Sequence, residues 1–206
     1  KKRSDFVSEA DQKSEEAVRK FLASRTPEFN ILGEEQGWSP GAEKAPTWII
    51  DPLDGTTNYL HRLPMFCVSI GLVVEGHSMV GVVDAPLLNK VYRAARGCGA
   101  QCNGVPLEVS KEEDLERSLM ATGFVQTRST DRIDLQPVEN AILRAGGIRR
   151  YGAAALDLCM VAEGCFEGYW EEGLAPWDVA AGAIIVEEAG GVVSDFRGAP
   201  LNYHHE

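Results

Sequence analysis

The sequence predicts a mixed α+β fold in which sheets are layered with helices, and three features carry that prediction. A meander of alternating apolar segments runs through residues 65–110 with turn residues between them. A helix-period pattern precedes it at 11–25. The second half then switches to helix-like and strand-like segments in alternation. Elements of both periods must bury their apolar faces on one another, which layered sheets and helices accomplish.

Each element has a local reason. In DQKSEEAVRKFLASR, residues Ser14, Ala17, Val18, Phe21 and Leu22 share one helical face; Asp11 is placed as N-cap and Pro27 ends the run. FNIL (29–32) and TWIID (47–51) read as short strands, with Pro52 stopping the second because it cannot donate a ladder bond. Strands follow at 65–75, 78–86 and 90–96 and in the end of GAQCNGVPLEVS, joined at EGH and NG as antiparallel hairpins. SLMATGF (118–124) is another strand, and RSTDRIDLQP (128–137) a polar loop. QPVENAILRAG is a helix, GIRR a short strand, and AAALDLCMVAEG a buried helix closed by Gly164. CFEGYWE is strand-like, PWDVAAGAIIVEEAGG is a helix with proline at its mouth, and GVVSDF (191–196) is a final strand. The change of rhythm divides one compact unit into regions 1–115 and 116–206.

Composition excludes several classes. Twenty basic against thirty-one acidic residues give a net charge of −11, which repels a nucleic-acid backbone. No apolar run is long enough to span a bilayer, and KKRSDF leads into no signal-peptide core, so a cytoplasmic protein with no membrane partner is expected. The five cysteines are odd in number and scattered, which reads as structural thiols in a reducing compartment; CGAQC lacks the second pair a zinc site needs.

The chemistry concentrates in WIIDPLDGTTNYL. An apolar strand delivers Asp51 and Asp54 to a tight turn, where Gly55 permits close approach and Thr56, Thr57 and Asn58 start a helix whose free N–H groups can receive an anion. Two carboxylates held close coexist ionised only with a cation between them. A plain turn with aspartates capping the backbone is the alternative for this segment alone. Glu34 and Glu35 in GEEQG add acids, as does Asp178 in PWDVAAG, whose position also suits a simple helix N-terminal charge. An all-oxygen set fits Mg²⁺ or Mn²⁺, and metal-assisted phosphoester hydrolysis is the chemistry it serves.

GEE, WIIDPLDGTTN and PWDVAAG, in this order, resemble the inositol monophosphatase family, and DQKSEE and RRYGAAALDLCMVAEG extend the likeness over nearly the whole chain. The resemblance implies a layered αβαβα sandwich of the sugar-phosphatase type, usually a homodimer, dependent on Mg²⁺ and inhibited by Li⁺. It implies that Glu34, Asp51 and the Leu53 carbonyl bind one ion, that Asp51, Asp54 and Asp178 bind a second, and that a looser third lies near Glu34. Gly55 and Thr56 would offer N–H groups to the phosphate. Thr56 would orient water with Glu34, its hydroxyl bonded to Asp11, while Ala154 and Glu171 would meet the substrate hydroxyls.

The substrate implied is a small phosphate ester, inositol 1-phosphate or a related polyol phosphate, because TTNYLHRLP is closer to that branch than to the nucleotidases. Fructose 1,6-bisphosphate is the runner-up. Some bacterial members act as binding factors in RNA transcription or processing, and Arg144, Arg149 and Arg150 offer a basic patch for that role. Relative to the family pattern, the chain opens close to DQKSEE and ends at DFRGAPLNYHHE, ahead of further strand and helix, and no motif residue is lost.

Overall fold

A computed structural model of the chain describes residues 9–124 and 134–203. Helix α1 (Glu9–Arg25) leads into β1 (Asn30–Gly33), β2 (Gly37–Ser39) and β3 (Thr47–Asp54). After the one-turn helix α2 (Thr56–Leu60) come β4 (Cys67–Val74), β5 (His77–Ala85), β6 (Lys90–Ala95), β7 (Ala100–Cys102) and β8 (Val105–Pro106). The second half holds β9 (Leu119–Thr122), α3 (Gln136–Arg144), β10 (Gly147–Arg149), α4 (Ala154–Ala162), β11 (Gly168–Trp170) and α5 (Pro176–Glu188).

Strands β1–β8 form one sheet in the order β2-β1-β3-β4-β5-β6-β7-β8, antiparallel except for the β1–β3 pair. A smaller, all-parallel sheet has the order β10-β9-β11. The two-residue period of β3 explains why the large sheet is covered on both faces. Ile50 packs with Leu22 and Ile31 toward α1, while Ile49 packs with Leu32 and Ala180 toward α5. On the α5 side Gly81 lets the helix come close: a Cβ there would stand 2.4 Å from the Ala181 carbonyl oxygen. Helix α4 packs on α5 and touches β11, and α3 packs on β10. The order of layers is α1, large sheet, α4 with α5, small sheet, α3. One buried apolar cluster joins Cys67, Val83 and Tyr92 to Leu156, Cys159 and Ile184, so residues on both sides of position 115 share a core.

The hairpins follow their turn chemistry. Glu75 and Gly76, and likewise Asn103 and Gly104, all have positive φ, as type I′ turns require. All five cysteines are free. No helix among the described residues is long and apolar enough to cross a membrane.

Four expectations need correction. Asp11 is not an N-cap: α1 already includes Glu9, and the Asp11 side chain is buried within the helix. The buried face of α1 carries Asp11, Glu15, Arg19 and Leu22, whereas Phe21 is exposed, because polar partners on the β1–β2 turn claim that face. Pro52 does not stop β3; the strand continues to Asp54 through a register shift between Asp51 and Asp54, and a bulge tolerates the missing donor. Residues 191–196 are not a strand: they pair with no other strand among the described residues, and Val192 is 91% exposed. Of the loop RSTDRIDLQP, residues 128–133 lie outside the described residues.

Candidate active site

The β3 bulge is where the site begins. It turns Asp51 and Asp54 to the same end of the strand, and both side chains are buried. Asp51 Oδ1 accepts the Leu53 N–H at 2.9 Å, which fixes the carboxylate against its own turn. Asp54 reaches across to α4, where Oδ1 accepts from Ala154 N at 3.1 Å and Oδ2 from Ala155 N at 2.7 Å. A carboxylate at that helix mouth satisfies N–H groups that have no acceptor inside the helix. The Cys67 thiol lies 3.6 Å from the same Oδ2.

Gly55 follows at φ 87°, in the left-handed region, and caps α2. A side chain there would also meet the Met65 carbonyl at 2.8 Å. The Thr56 hydroxyl stands 3.1 Å from Asp11 Oδ1 and 3.0 Å from the Leu53 carbonyl oxygen, donating its one proton to either. Asn58 ties α2 down by donating to the Met65 and Tyr151 carbonyls at 2.6 and 2.7 Å.

Two further acids come from the second half of the chain. Asp178, in the first turn of α5, accepts the Ala175 N–H through Oδ2 at 2.6 Å, so that bond occupies only one of its two oxygens. Glu171 is oriented by the Tyr169 hydroxyl, which donates to it at 2.6 Å. Glu34 stands on the β1–β2 turn, its own N–H donating to the Ile50 carbonyl at 3.2 Å.

These groups line one cleft of about 270 Å³. Glu34, Asp51, Leu53, Asp54, Gly55, Thr56, Ala154, Glu171 and Asp178 all border it, and Asp11 stands behind Thr56. Sequence reasoning missed Phe124 and Gly152, which border the same cleft, and gave Arg150 only to a surface patch. Arg150 is the one basic side chain lining the cleft among the described residues, and its guanidinium lies 5.9 Å from the centre of the Phe124 ring. A larger apolar cavity of about 650 Å³ lies between α4, α5 and residues 191–202, but it contains none of Glu34, Asp51, Asp54 or Asp178. Volume does not locate the chemistry here; charge does.

The charge is unfavourable as it stands. Burial first, then Asp178, Glu35, Asp11 and Asp54, push the Glu34 carboxyl up to about 8, although its side chain opens onto the cleft. Burial and Asp178 raise Asp54 to about 7 against the opposing α4 N–H bonds. Asp51 is driven well above the ordinary carboxylate range by burial, Asp54, Glu34 and Asp178. Asp178 is raised to about 6, chiefly by burial. Each shift has the sign expected of carboxylates lacking a counter-charge.

Among the described residues no three acidic, His or Cys side chains are close enough to enclose an ion by themselves. Asp51, Asp54 and Asp178 are therefore not close enough, as they stand, to close around one ion on their own. The donor set, carboxylates with the Leu53 carbonyl and no imidazole, fits a hard cation such as Mg²⁺.

Comparison with known proteins agrees with this architecture. The profile of the inositol monophosphatase family matches residues 1–206. An inositol-1-monophosphatase of Synechocystis is 44% identical over 200 residues, covering 96% of this chain and 69% of that protein. The Nus factor SuhB of Pasteurella multocida is also 44% identical over 200 residues, covering 96% of this chain and 74% of its own length. The crystal structure of the extragenic suppressor protein suhB from Bartonella henselae superposes with a TM-score of 0.92 at 41% identity, covering 97% of this chain and 78% of that one. An IMPase/NADP phosphatase solved in complex with Mg²⁺ and phosphate superposes with a TM-score of 0.86 at 28% identity, covering 98% and 75%. With acids from both halves of the chain meeting in one cleft and the whole sequence matched, the chain belongs to the inositol monophosphatase family, a family of Mg²⁺-dependent phosphomonoesterases.

Proposed function

We propose that the chain hydrolyses inositol 1-phosphate, or a closely related polyol or sugar phosphate, to the alcohol and inorganic phosphate in a Mg²⁺-dependent reaction. The observation that carries this reading is the convergence of Glu34, Asp51, Asp54 and Asp178 on one cleft beside the Thr56–Asp11 pair. Glu34, Asp51 and the Leu53 carbonyl would hold one ion, Asp51, Asp54 and Asp178 a second, and Glu34 a looser third. Mn²⁺ would substitute for Mg²⁺. When bound, such ions supply a nucleophilic water at neutral pH and neutralise charge on the phosphate and leaving-group oxygens.

The chain's own residues then orient and exclude. Thr56, held by Asp11, and Glu34 aim the attacking water. Gly55 and Thr56 present N–H groups of the first turn of α2, which have no acceptor inside the helix, to the phosphate. Glu171, fixed by Tyr169, accepts from a substrate hydroxyl beside Ala154. Asp178 stands on the leaving-group side. A cytoplasmic homodimer sensitive to Li⁺ belongs to the same reading, and sedimentation and a Li⁺ titration check those two properties.

The deciding measurement is phosphate release from inositol 1-phosphate, fructose 1,6-bisphosphate and 3′-phosphoadenosine 5′-phosphate, with Mg²⁺ and with EDTA. Release from the inositol ester that requires Mg²⁺ is expected; turnover of the nucleotide alone overturns the substrate assignment. In the same assay Thr56→Ala lowers kcat about 100-fold, with KM changed less than about threefold, because the hydroxyl acts in the reaction rather than in binding.

A binding role in transcription is the second reading. The Pasteurella relative named Nus factor SuhB and the exposure of Arg144, Arg149 and Arg150 favour it. It leaves the acid cluster without a purpose. A strain carrying Asp51→Asn that grows and transcribes normally would favour it over the enzyme.

A further inference from the structure

Glu34 has no side-chain hydrogen bond among the described residues, and acids surround it. With no partner for the side chain, the direction in which Glu34 leaves the chain is set by how its backbone is held. The holding comes from α1. Glu15, fully buried, accepts from Glu35 N through Oε2 at 2.8 Å and from Gln36 N through Oε1 at 3.0 Å. Arg19 donates from Nε to Glu15 Oε1 at 2.6 Å, and its other nitrogens reach the Ser39 hydroxyl at 2.9 Å and the Gly37 carbonyl. The pair therefore grips the turn on both sides of its apex, from residue 35 to residue 39.

The space for this grip is specific. An added Cβ on Gly33 would stand 2.3 Å from Glu15 Oε1, so only glycine leaves room for the carboxylate beside the turn. On its other side Glu34 is tied to the Ile50 carbonyl, one residue before Asp51, within the parallel register that pairs Gly33 with Ile50. The backbone of Glu34 is thus locked between the clamp and the strand that carries Asp51. A buried ion pair alone is weak evidence for stability, since apolar residues of similar volume often serve as well. What apolar residues cannot supply is acceptors for two turn N–H groups.

We infer that Glu15, braced by Arg19, is a positioning residue that sets the β1–β2 turn so that Glu34 faces the cation site in line with Asp51. The inference rests on the reading of Glu34 as a metal ligand.

The test is a double-mutant cycle read by Mn²⁺ affinity, by electron paramagnetic resonance, on full-length protein whose folding is checked by circular dichroism and Tm. Glu15→Gln keeps the volume but loses the charge and part of the acceptor capacity. It is expected to weaken Mn²⁺ binding about tenfold, as partners of metal ligands do. In a Glu34→Gln background the same change should shift affinity less than about twofold, because the residue it positions is already gone. Arg19→Lys, which keeps the charge but loses the fork, should reproduce the pattern more weakly and serves if Glu15→Gln does not fold. An equal shift in both backgrounds, or a lowered Tm with unchanged affinity, overturns the inference. Wild-type protein that binds no Mn²⁺ overturns the metal reading itself and the inference with it.

Discussion

Asp51→Asn is expected to lower Mg²⁺-dependent phosphate release about 1,000-fold, a loss of roughly 4 kcal/mol in transition-state stabilisation. Asp51 is buried beside Asp54, Glu34 and Asp178, and each of these raises its pKa. One of its oxygens is engaged by Leu53 N, and in the proposed site the other would bind a cation. An amide would supply one neutral oxygen where the proposed site calls for a charged one. The same substitution removes one repelling charge from the cluster, so in EDTA the variant should unfold at a higher temperature than the wild type. Activity and metal-free stability moving in opposite directions is the signature of a site strained for function. Phosphate release across a Mg²⁺ series, with thermal unfolding in EDTA, checks both halves. A variant with normal Mg²⁺-dependent turnover would remove Asp51 from the proposed site.

The parts of this protein that were legible in the sequence are those whose causes are local. EGH and NG announce hairpins because Glu75, Gly76, Asn103 and Gly104 must take positive φ, a demand few residues tolerate. DPLDGTT announces a carboxylate turn because the chemistry is written in adjacent residues. Asp54 and Asp178 each sit at a helix mouth and accept backbone N–H groups there, so the capping reading of these acids holds whatever else they bind. What escaped is long-range. Counting apolar residues oriented α1 toward Phe21, but its buried face is polar, since Glu15 and Arg19 find partners some twenty residues along the chain. Pro52 read as a strand end because a bulge depends on the neighbouring strand, which local sequence does not reveal. GVVSDF alternates like a strand, yet a strand exists only where another chain segment completes the ladder.

Asp157→Asn tests the least visible of these long-range effects. Within the apolar run AAALDLC the residue is fully buried in α4, and both of its carboxylate oxygens lack a hydrogen-bond partner among the described residues. Burial first, then Asp54 and Glu171, raise its carboxyl to about 8 against the pulls of Arg150 and the nearby Ala153 N–H. A carboxyl raised in the folded state binds its proton more tightly there than in the unfolded chain. Its contribution to stability is therefore full below the unfolded value of 3.8 and is lost progressively as pH rises toward about 8. Asparagine carries no such linkage. In EDTA the variant should gain on the wild type by about 3 kcal/mol between pH 5 and pH 8, since one unit of separation amounts to about 1.4 kcal/mol. For a chain of this size that is a change of about 6–12 °C in the Tm separation between pH 5 and pH 8. Parallel melting curves of the two proteins across that range would show instead that Asp157 is paired in solution.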